Sequence, residues 1–131
     1  MAEAAKPVVL VVEDDEQMVA LMRHELEKDG WSVASAASGA EAKRMIGTLA
    51  APSLVTLDIA LPDLSGVELI LQIKDTAGWE RVPIVMVTAT PKSKDVNWAI
   101  KSGAQDYIVK PFKPDELRAC VRRHAARKPP A

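Results

Sequence analysis

Residues 53–66 read SLVTLDIALPDLSG. The largely apolar run Leu54–Leu57 ends on one carboxylate, Asp58, the only charged side chain between Arg44 and Asp63. A second apolar pair follows, then Pro62 and Gly66. A short continuous apolar run bounded by turn signals is the signature of a strand buried on both faces, as in a parallel sheet. In open α/β sheets the chemistry gathers at the carboxyl ends of the strands. Asp58 stands at such an end, and the remaining segments arrange themselves around it.

Upstream, Val8–Val12 reads as a first buried strand that runs into Glu13-Asp14-Asp15. Met18, Leu21, Met22 and Leu26 then recur at helical spacing, and Gly30 supplies a stop. Trp31–Ala36 is a less apolar strand, placed nearer an edge. Ser38 and Glu41 form a capping box that opens a helix to about Leu49, with Ala42, Met45, Ile46 and Leu49 on one face. Downstream of the central strand, Ser65 caps a third helix carrying Val67, Leu69, Ile70 and Ile73, and Gly78 stops it. Pro83 opens Ile84–Val87, a fourth buried strand that ends at Thr88. Ser93 or Asp95 starts a fourth helix, closed by Gly103, and Tyr107–Val109 is a short fifth strand ending at Lys110-Pro111. Pro114, Asp115 and Glu116 start a last helix. Its final turns hold Arg122, Arg123, Arg127 and Lys128, as the helix dipole prefers. Strict β-then-α alternation with short connections predicts an α/β fold: a five-stranded parallel sheet covered by five helices on both faces.

Composition bounds the rest. A chain of 131 residues makes one domain with a real core, and 48% apolar with 27% charged residues is ordinary for a globular protein. A net charge of −1 creates no global field toward nucleic acid or an anionic membrane. The single cysteine, Cys120, forbids an internal disulfide and suits a reducing compartment. No apolar run reaches the roughly 18 residues of a membrane span. MAEAAKP lacks the regions of a signal peptide, so a cytoplasmic location is expected. Residues 1–6 are read as a disordered N-terminus, 7–127 as the domain, and 128–131 as a tail or linker start.

The strand ends carry the chemistry. The first ends in Asp14-Asp15, the third in Asp58, the fourth in Thr88 and the fifth in Lys110. In a parallel sheet these lie on one rim. Three crowded carboxylates repel, and a hard divalent cation relieves that cost; Mg²⁺ takes oxygen ligands and commonly bridges carboxylates to phosphate oxygens. Lys110 is a compact charge able to meet Asp58 or a phosphoryl oxygen, and Thr88 can donate to such an oxygen. Asp58 is therefore the candidate phosphate acceptor.

Taken in order, Glu13-Asp14-Asp15, Leu57-Asp58 with Pro62 and Gly66, Val87-Thr88-Ala89, and Tyr107-Ile108-Val109-Lys110-Pro111-Phe112 make the chain resemble the receiver domains of bacterial two-component response regulators. The resemblance covers Pro7 to Arg127 and implies the chemotaxis-type (βα)5 flavodoxin-like fold. It further implies that Asp58 accepts a phosphoryl group from a histidine kinase or histidine phosphotransfer protein. Asp14, Asp15, Asp58 and the main-chain carbonyl of Ala60 would hold Mg²⁺. Thr88 and Lys110 would bind the phosphoryl oxygens, Tyr107 would turn inward as Thr88 moves, and Lys110-Pro111 looks like the family's cis peptide. The protein would assist its own phosphorylation without being a turnover enzyme. It would signal to a downstream protein target through its fourth helix, fifth strand and fifth helix, where Val96, Ile100 and Tyr107 are the expected contact residues.

The sequence also departs from the common receiver pattern. Ala60 and Thr90 stand two residues after Asp58 and Thr88, where receivers often place larger polar groups. Asp106, Glu116 and Arg122 echo the salt-bridge set of dimeric regulators, while Val96 and Gln105 break it, so a monomer or a weak phosphorylation-linked dimer is expected. The alternative is a phosphorylation-independent receiver-like interaction module, against which the intact Asp14, Asp15, Asp58, Thr88 and Lys110 set argues. Haloacid-dehalogenase-type phosphatases, which also use an Asp nucleophile, look for a second Asp where Ala60 stands. Direct nucleic-acid binding is unsupported. His24 and His124 are read as solvated residues and not ligands, and Cys120 as a small core residue. Trp31 is read as a half-buried strand residue, Trp79 as an edge-packed loop residue, and Trp98 as either core or partner surface.

Overall fold

The computed structural model describes residues 6–91 and 94–130. Five strands, β1 (Val8–Val12), β2 (Ser32–Ala36), β3 (Leu54–Asp58), β4 (Ile84–Thr88) and β5 (Asp106–Val109), alternate with five helices: α1 (Glu16–Lys28), α2 (Gly39–Met45), α3 (Gly66–Lys74), α4 (Lys94–Ser102) and α5 (Pro114–His124). Every strand pair is parallel, and the sheet order is β2-β1-β3-β4-β5. The chain turns one way from β1 to β2 and the other way to β3. That reversal opens a crevice at the carboxyl ends of β1 and β3. Val12 pairs with Leu57 and Asp58 with Val87, so the end of β1, Asp58 and the end of β4 share one rim.

Alternate side chains leave the sheet on opposite faces. Leu10, Val12, Val55, Leu57, Ile84 and Met86 pack on α2, α3 and α4, while Val9, Val11, Leu54, Val85 and Val87 pack on α1 and α5. Burial on both faces is why β1, β3 and β4 are nearly unbroken apolar runs. Each fully buried aliphatic side chain contributes about 1.5–3 kcal/mol. The second layer is also tied by charge: buried Glu25 of α1 pairs with Arg118 of α5, and Asp29 accepts from Arg122 at 2.9 Å.

Several local expectations change. α2 stops at Met45, short of Leu49, because Gly47 takes φ +84°, a conformation that only glycine adopts freely; Leu49 is left exposed. Glu41 accepts from the N–H of Ala37, not from that of the cap residue Ser38. Trp31 precedes β2 and is fully buried, its Nε1 donating to Asp29; Trp79 is buried too, its Nε1 donating to the Leu49 carbonyl at 3.2 Å. An indole can be buried this completely because its one polar atom has a partner. Leu21 is exposed, and the inward stripe of α1 is Met22, Glu25 and Leu26.

α5 ends at His124, where Ala125 turns to ψ 138°, so Arg127 and Lys128 lie beyond the helix. Ala126 then donates to the Ser53 carbonyl at 2.9 Å, and Pro129, in the expected loose tail, is buried beside Gly30. Of the predicted disordered N-terminus, residues 1–5 lie outside the described residues, as do Ser93 and Ala131. No helix among the described residues is long and apolar enough to cross a membrane.

Candidate functional site

Asp58 is the last residue of β3 and 7% exposed. Its Oδ1 accepts the Ala60 N–H at 3.0 Å, and its Oδ2 accepts from Nζ of Lys110 at 3.2 Å. Lys110 directly follows β5. Its own N–H donates to the Thr88 carbonyl at 2.7 Å, and its peptide bond to Pro111 is cis. Thr88 closes β4, buried, with its hydroxyl oxygen accepting the Thr90 N–H at 3.0 Å. The structure thus brings Asp58, Lys110 and Thr88 together at neighbouring strand ends. Gly66 lets the following loop close on this point: a Cβ there would lie 3.2 Å from Cα of Ile59. The same loop is fixed outward by Asp63, whose two oxygens accept the Gly39 and Ala40 N–H groups at 2.9 Å. Those two bonds hold the Asp63 carboxyl below its usual range.

The acids at the end of β1 separate into different roles. Glu13, the first residue after the strand, is 2% exposed and accepts from Nζ of Lys110 at 2.6 Å. Oxygens of Glu13, Asp14 and Asp58 lie within 4.8 Å of one another. Asp15 instead caps α1, its Oδ1 accepting from the N–H groups of Gln17 at 2.9 Å and Met18 at 3.3 Å. Glu13 was absent from the predicted ligand set. The signal that could have found it is the helix start: the acid just before α1 is needed at the helix N-terminus, which moves the rim pair one residue back.

Burial pushes Glu13 up to about 7; the Lys110 bond opposes this and neighbouring Asp58 adds to it. Burial pulls Lys110 down, but its contacts with Glu13 and Asp58 outweigh that, and its pKa stands above the ordinary value. The donor set of Glu13, Asp14 and Asp58 is all oxygen, with two members buried and Asp14 open to solvent. Such a set fits a hard, partly hydrated cation of the Mg²⁺ kind. Exposed Ala60 adds a methyl group and no polar side chain.

The expected contact surface is only partly at the surface. Val96 is 2% exposed: with Ala99 it forms the stripe by which α4 meets the core, and Ile100 lies at the exposed margin of that stripe. Tyr107 on β5 points outward, 42% exposed, and Trp98 of α4 is 59% exposed. The residues that echo a dimer set are engaged within the chain. Arg122 holds Asp29, Glu116 accepts the Lys113 N–H at 3.4 Å, and Asp106 lies 2.9 Å from Nε2 of His124. Gln105 accepts the Ile84 N–H at 2.7 Å. His124, predicted to be solvated, is therefore half-buried against a carboxylate.

Residues 9–122 match the response regulator receiver domain family. The transcriptional regulatory protein KdpE of Mycobacterium tuberculosis (strain H37Rv) is 37% identical over 123 residues, which are 91% of this chain and 53% of KdpE. The chain spans about half the length of the curated relatives it matches. The receiver domain of the sensor histidine kinase PA1611 of Pseudomonas aeruginosa superposes with a TM-score of 0.83 at 29% identity, over 92% of this chain and 98% of that one. That structure holds a magnesium ion in its active site cleft. The chemotaxis protein CheY4 of Vibrio cholerae superposes with a TM-score of 0.85 at 26% identity, over 92% and 99%.

Proposed function

Because this chain belongs to the response regulator receiver domain family, we propose that it is a phosphorylation-operated switch with Asp58 as the acceptor. An oxygen of Asp58 attacks the phosphorus of a phosphohistidine on a histidine kinase or phosphotransfer protein. The P–N bond breaks and the imidazole leaves with the electron pair. Lys110 then meets the added charge, about −1.5 to −2 on a phosphoryl group, and the Thr88 hydroxyl donates to one of its oxygens. The observation that supports this reading is the reach of Lys110 to both Glu13 and Asp58, an ammonium 3.2 Å from an Asp58 oxygen.

Glu13, Asp14 and Asp58, with the main-chain carbonyl of Ala60, are the residues that would hold Mg²⁺. Glu13 takes the place first given to Asp15. The bound cation would neutralise charge on the phosphoryl oxygens. Residues 7–127 constitute the receiver, and 1–6 and 128–131 flank it. The output is a change of the surface formed by α4, β5 and α5. As Thr88 is drawn to the phosphoryl group, the ring of Tyr107 turns inward, and a protein target reads the altered strip of Trp98, Ile100 and Tyr107. Such a group shifts the equilibrium only by its differential affinity for the two states.

The test is intact-mass measurement after incubation with a small-molecule phosphoryl donor. Wild type should gain one phosphoryl group in Mg²⁺ and none in chelator. Asp58→Asn should gain none, and a label that persists in that variant overturns the assignment.

A further inference from the structure

A second group of metal-ligating side chains lies away from the phosphoryl site. Asp106, Cys120 and His124 each offer one ligand atom, and the three atoms lie within 4.8 Å of one another. Cys120 and His124 are four apart on α5, so they share a face of the helix, and Asp106 opens β5 opposite them. Nε2 of His124 already stands 2.9 Å from Oδ2 of Asp106.

We propose that Asp106, Cys120 and His124 form a Zn²⁺ site that joins β5 to α5. One thiolate sulfur, one imidazole nitrogen and one carboxylate oxygen are the three ligand types that zinc accepts, while a sulfur ligand disfavours Mg²⁺. Around a tetrahedral ion with bonds of about 2.0–2.3 Å such ligand atoms stand about 3.5 Å apart, so the 2.9 Å His124–Asp106 pair must open slightly, and the Cys120 sulfur, within 4.8 Å of both, must adjust to the same spacing. On binding, the Cys120 thiol gives its proton to solvent and its sulfur pair to the metal. Thiolate and carboxylate together then balance the 2+ charge. The carboxylate is oriented from outside the ligand set, because Oδ1 of Asp106 accepts the Tyr107 N–H at 2.8 Å and leaves Oδ2 for the metal. An open pocket of about 430 Å³, lined in part by Asp106, Cys120 and Arg123, supplies the entry path and room for a water as fourth ligand. Arg123 opposes the site, with Nη1 3.9 Å from Oδ2 of Asp106, but its side chain is 66% exposed and free to swing outward. A bound ion would fix the strand one residue from Tyr107.

Co²⁺ is the probe, titrated into the full chain in excess Mg²⁺ so that the oxygen-only site at Asp58 is occupied. Wild type should bind one equivalent with a thiolate-to-cobalt charge-transfer band, and Zn²⁺ should displace it. Cys120→Ser should lose the band. His124→Gln and Asp106→Asn, which retain the cysteine, should each weaken Co²⁺ binding by about tenfold or more. Absence of the band in wild type overturns the site, as does unchanged affinity in either of the last two variants.

Discussion

The ammonium of Lys110 lies 2.6 Å from Oε1 of Glu13, a residue 97 positions earlier in the chain. That contact is shorter than the one Lys110 makes to Asp58, at 3.2 Å. A carboxylate buried as deeply as Glu13 needs a cation beside it, and Lys110 supplies one from the far side of the rim. The acid beside Asp58 is thus Glu13, and the acid at the helix start is Asp15.

Substitutions at those two positions should separate ligation from capping. Glu13→Gln keeps the shape and removes the charge, and should weaken Mg²⁺ binding by about tenfold or more. Asp15→Ala should leave Mg²⁺ affinity unchanged and cost about 1 kcal/mol of stability, the ordinary value of an N-cap. Mg²⁺ titrations followed by NMR and urea melts read the two effects separately. The opposite pattern would return Asp15 to the ligand set.

A pH dependence follows from Asp63. Its carboxyl is held low by the Ala40 and Gly39 N–H groups, which favour the charged form. For an acid lowered in the folded state, the stabilisation is fully present above the unfolded value and is lost as pH falls through the folded one. The window therefore begins near 3.8 and extends downward. Denaturant unfolding should find wild type more stable than Asp63→Asn at pH 7, with the gap closing only as pH falls below about 3.8. A gap that is constant with pH would show that the carboxylate charge does not hold α2.

What the sequence reveals follows the range of the forces involved. Val8–Val12, Leu54–Leu57 and Ile84–Val87 are legible as buried strands because both faces of the sheet are covered, and a continuous apolar run has few other homes. Asp58 and Thr88 are legible because each ends such a run; Lys110 follows β5, a shorter strand in which only Ile108 is buried, and is marked instead by the proline after it. The choice among Glu13, Asp14 and Asp15 is not legible, since one residue more of strand exchanges the acid over the rim for the acid capping α1. The depth of Val96 depends on how α4 lies on the core, which helical spacing alone leaves free. The pairs Glu25–Arg118 and Asp29–Arg122 join residues 93 apart, and no local pattern announces them. Gly47 ended α2 early against an apolar periodicity that continued to Leu49.

Gly66 is a steric test of how tightly the loop must close on the acceptor. A Cβ at this position would meet Cα of Ile59 at 3.2 Å and the Asp58 carbonyl oxygen at 3.5 Å. Only the first is tighter than ordinary contact, and it is backbone, so relief requires the chain just past Asp58 to give by a few tenths of an ångström. Gly66→Ala should cost about 1–3 kcal/mol, the usual range for overpacking. It should also slow phosphorylation at saturating Mg²⁺, because the acceptor oxygen is displaced from its aligned position. Thermal melts and intact-mass time courses measure the two quantities. Loss of stability with an unchanged phosphorylation rate would mean that the loop yields and Asp58 stays in place.

The lifetime of the phosphoryl group should be set in part by Ala60. Hydrolysis needs a water held in line with the P–O bond to Asp58, and such positioning contributes substantially to rate. Ala60 lies two residues beyond the acceptor with its N–H on Oδ1 of Asp58. Its exposed methyl group has no atom with which to hold that water. Thr90, the other flanking residue, has its hydroxyl 3.5 Å from that of Thr88, and its N–H already donates to Thr88. Ala60→Asn adds an amide on an exposed loop, where the change in stability should stay within about 0.5 kcal/mol. The variant should therefore become phosphorylated normally and lose the phosphoryl group several times faster than wild type. Decay of the phosphorylated mass after removal of the donor measures this directly. An unchanged decay rate would mean that the water is positioned from elsewhere on the rim, and that a methyl group at this position does not prolong the signal.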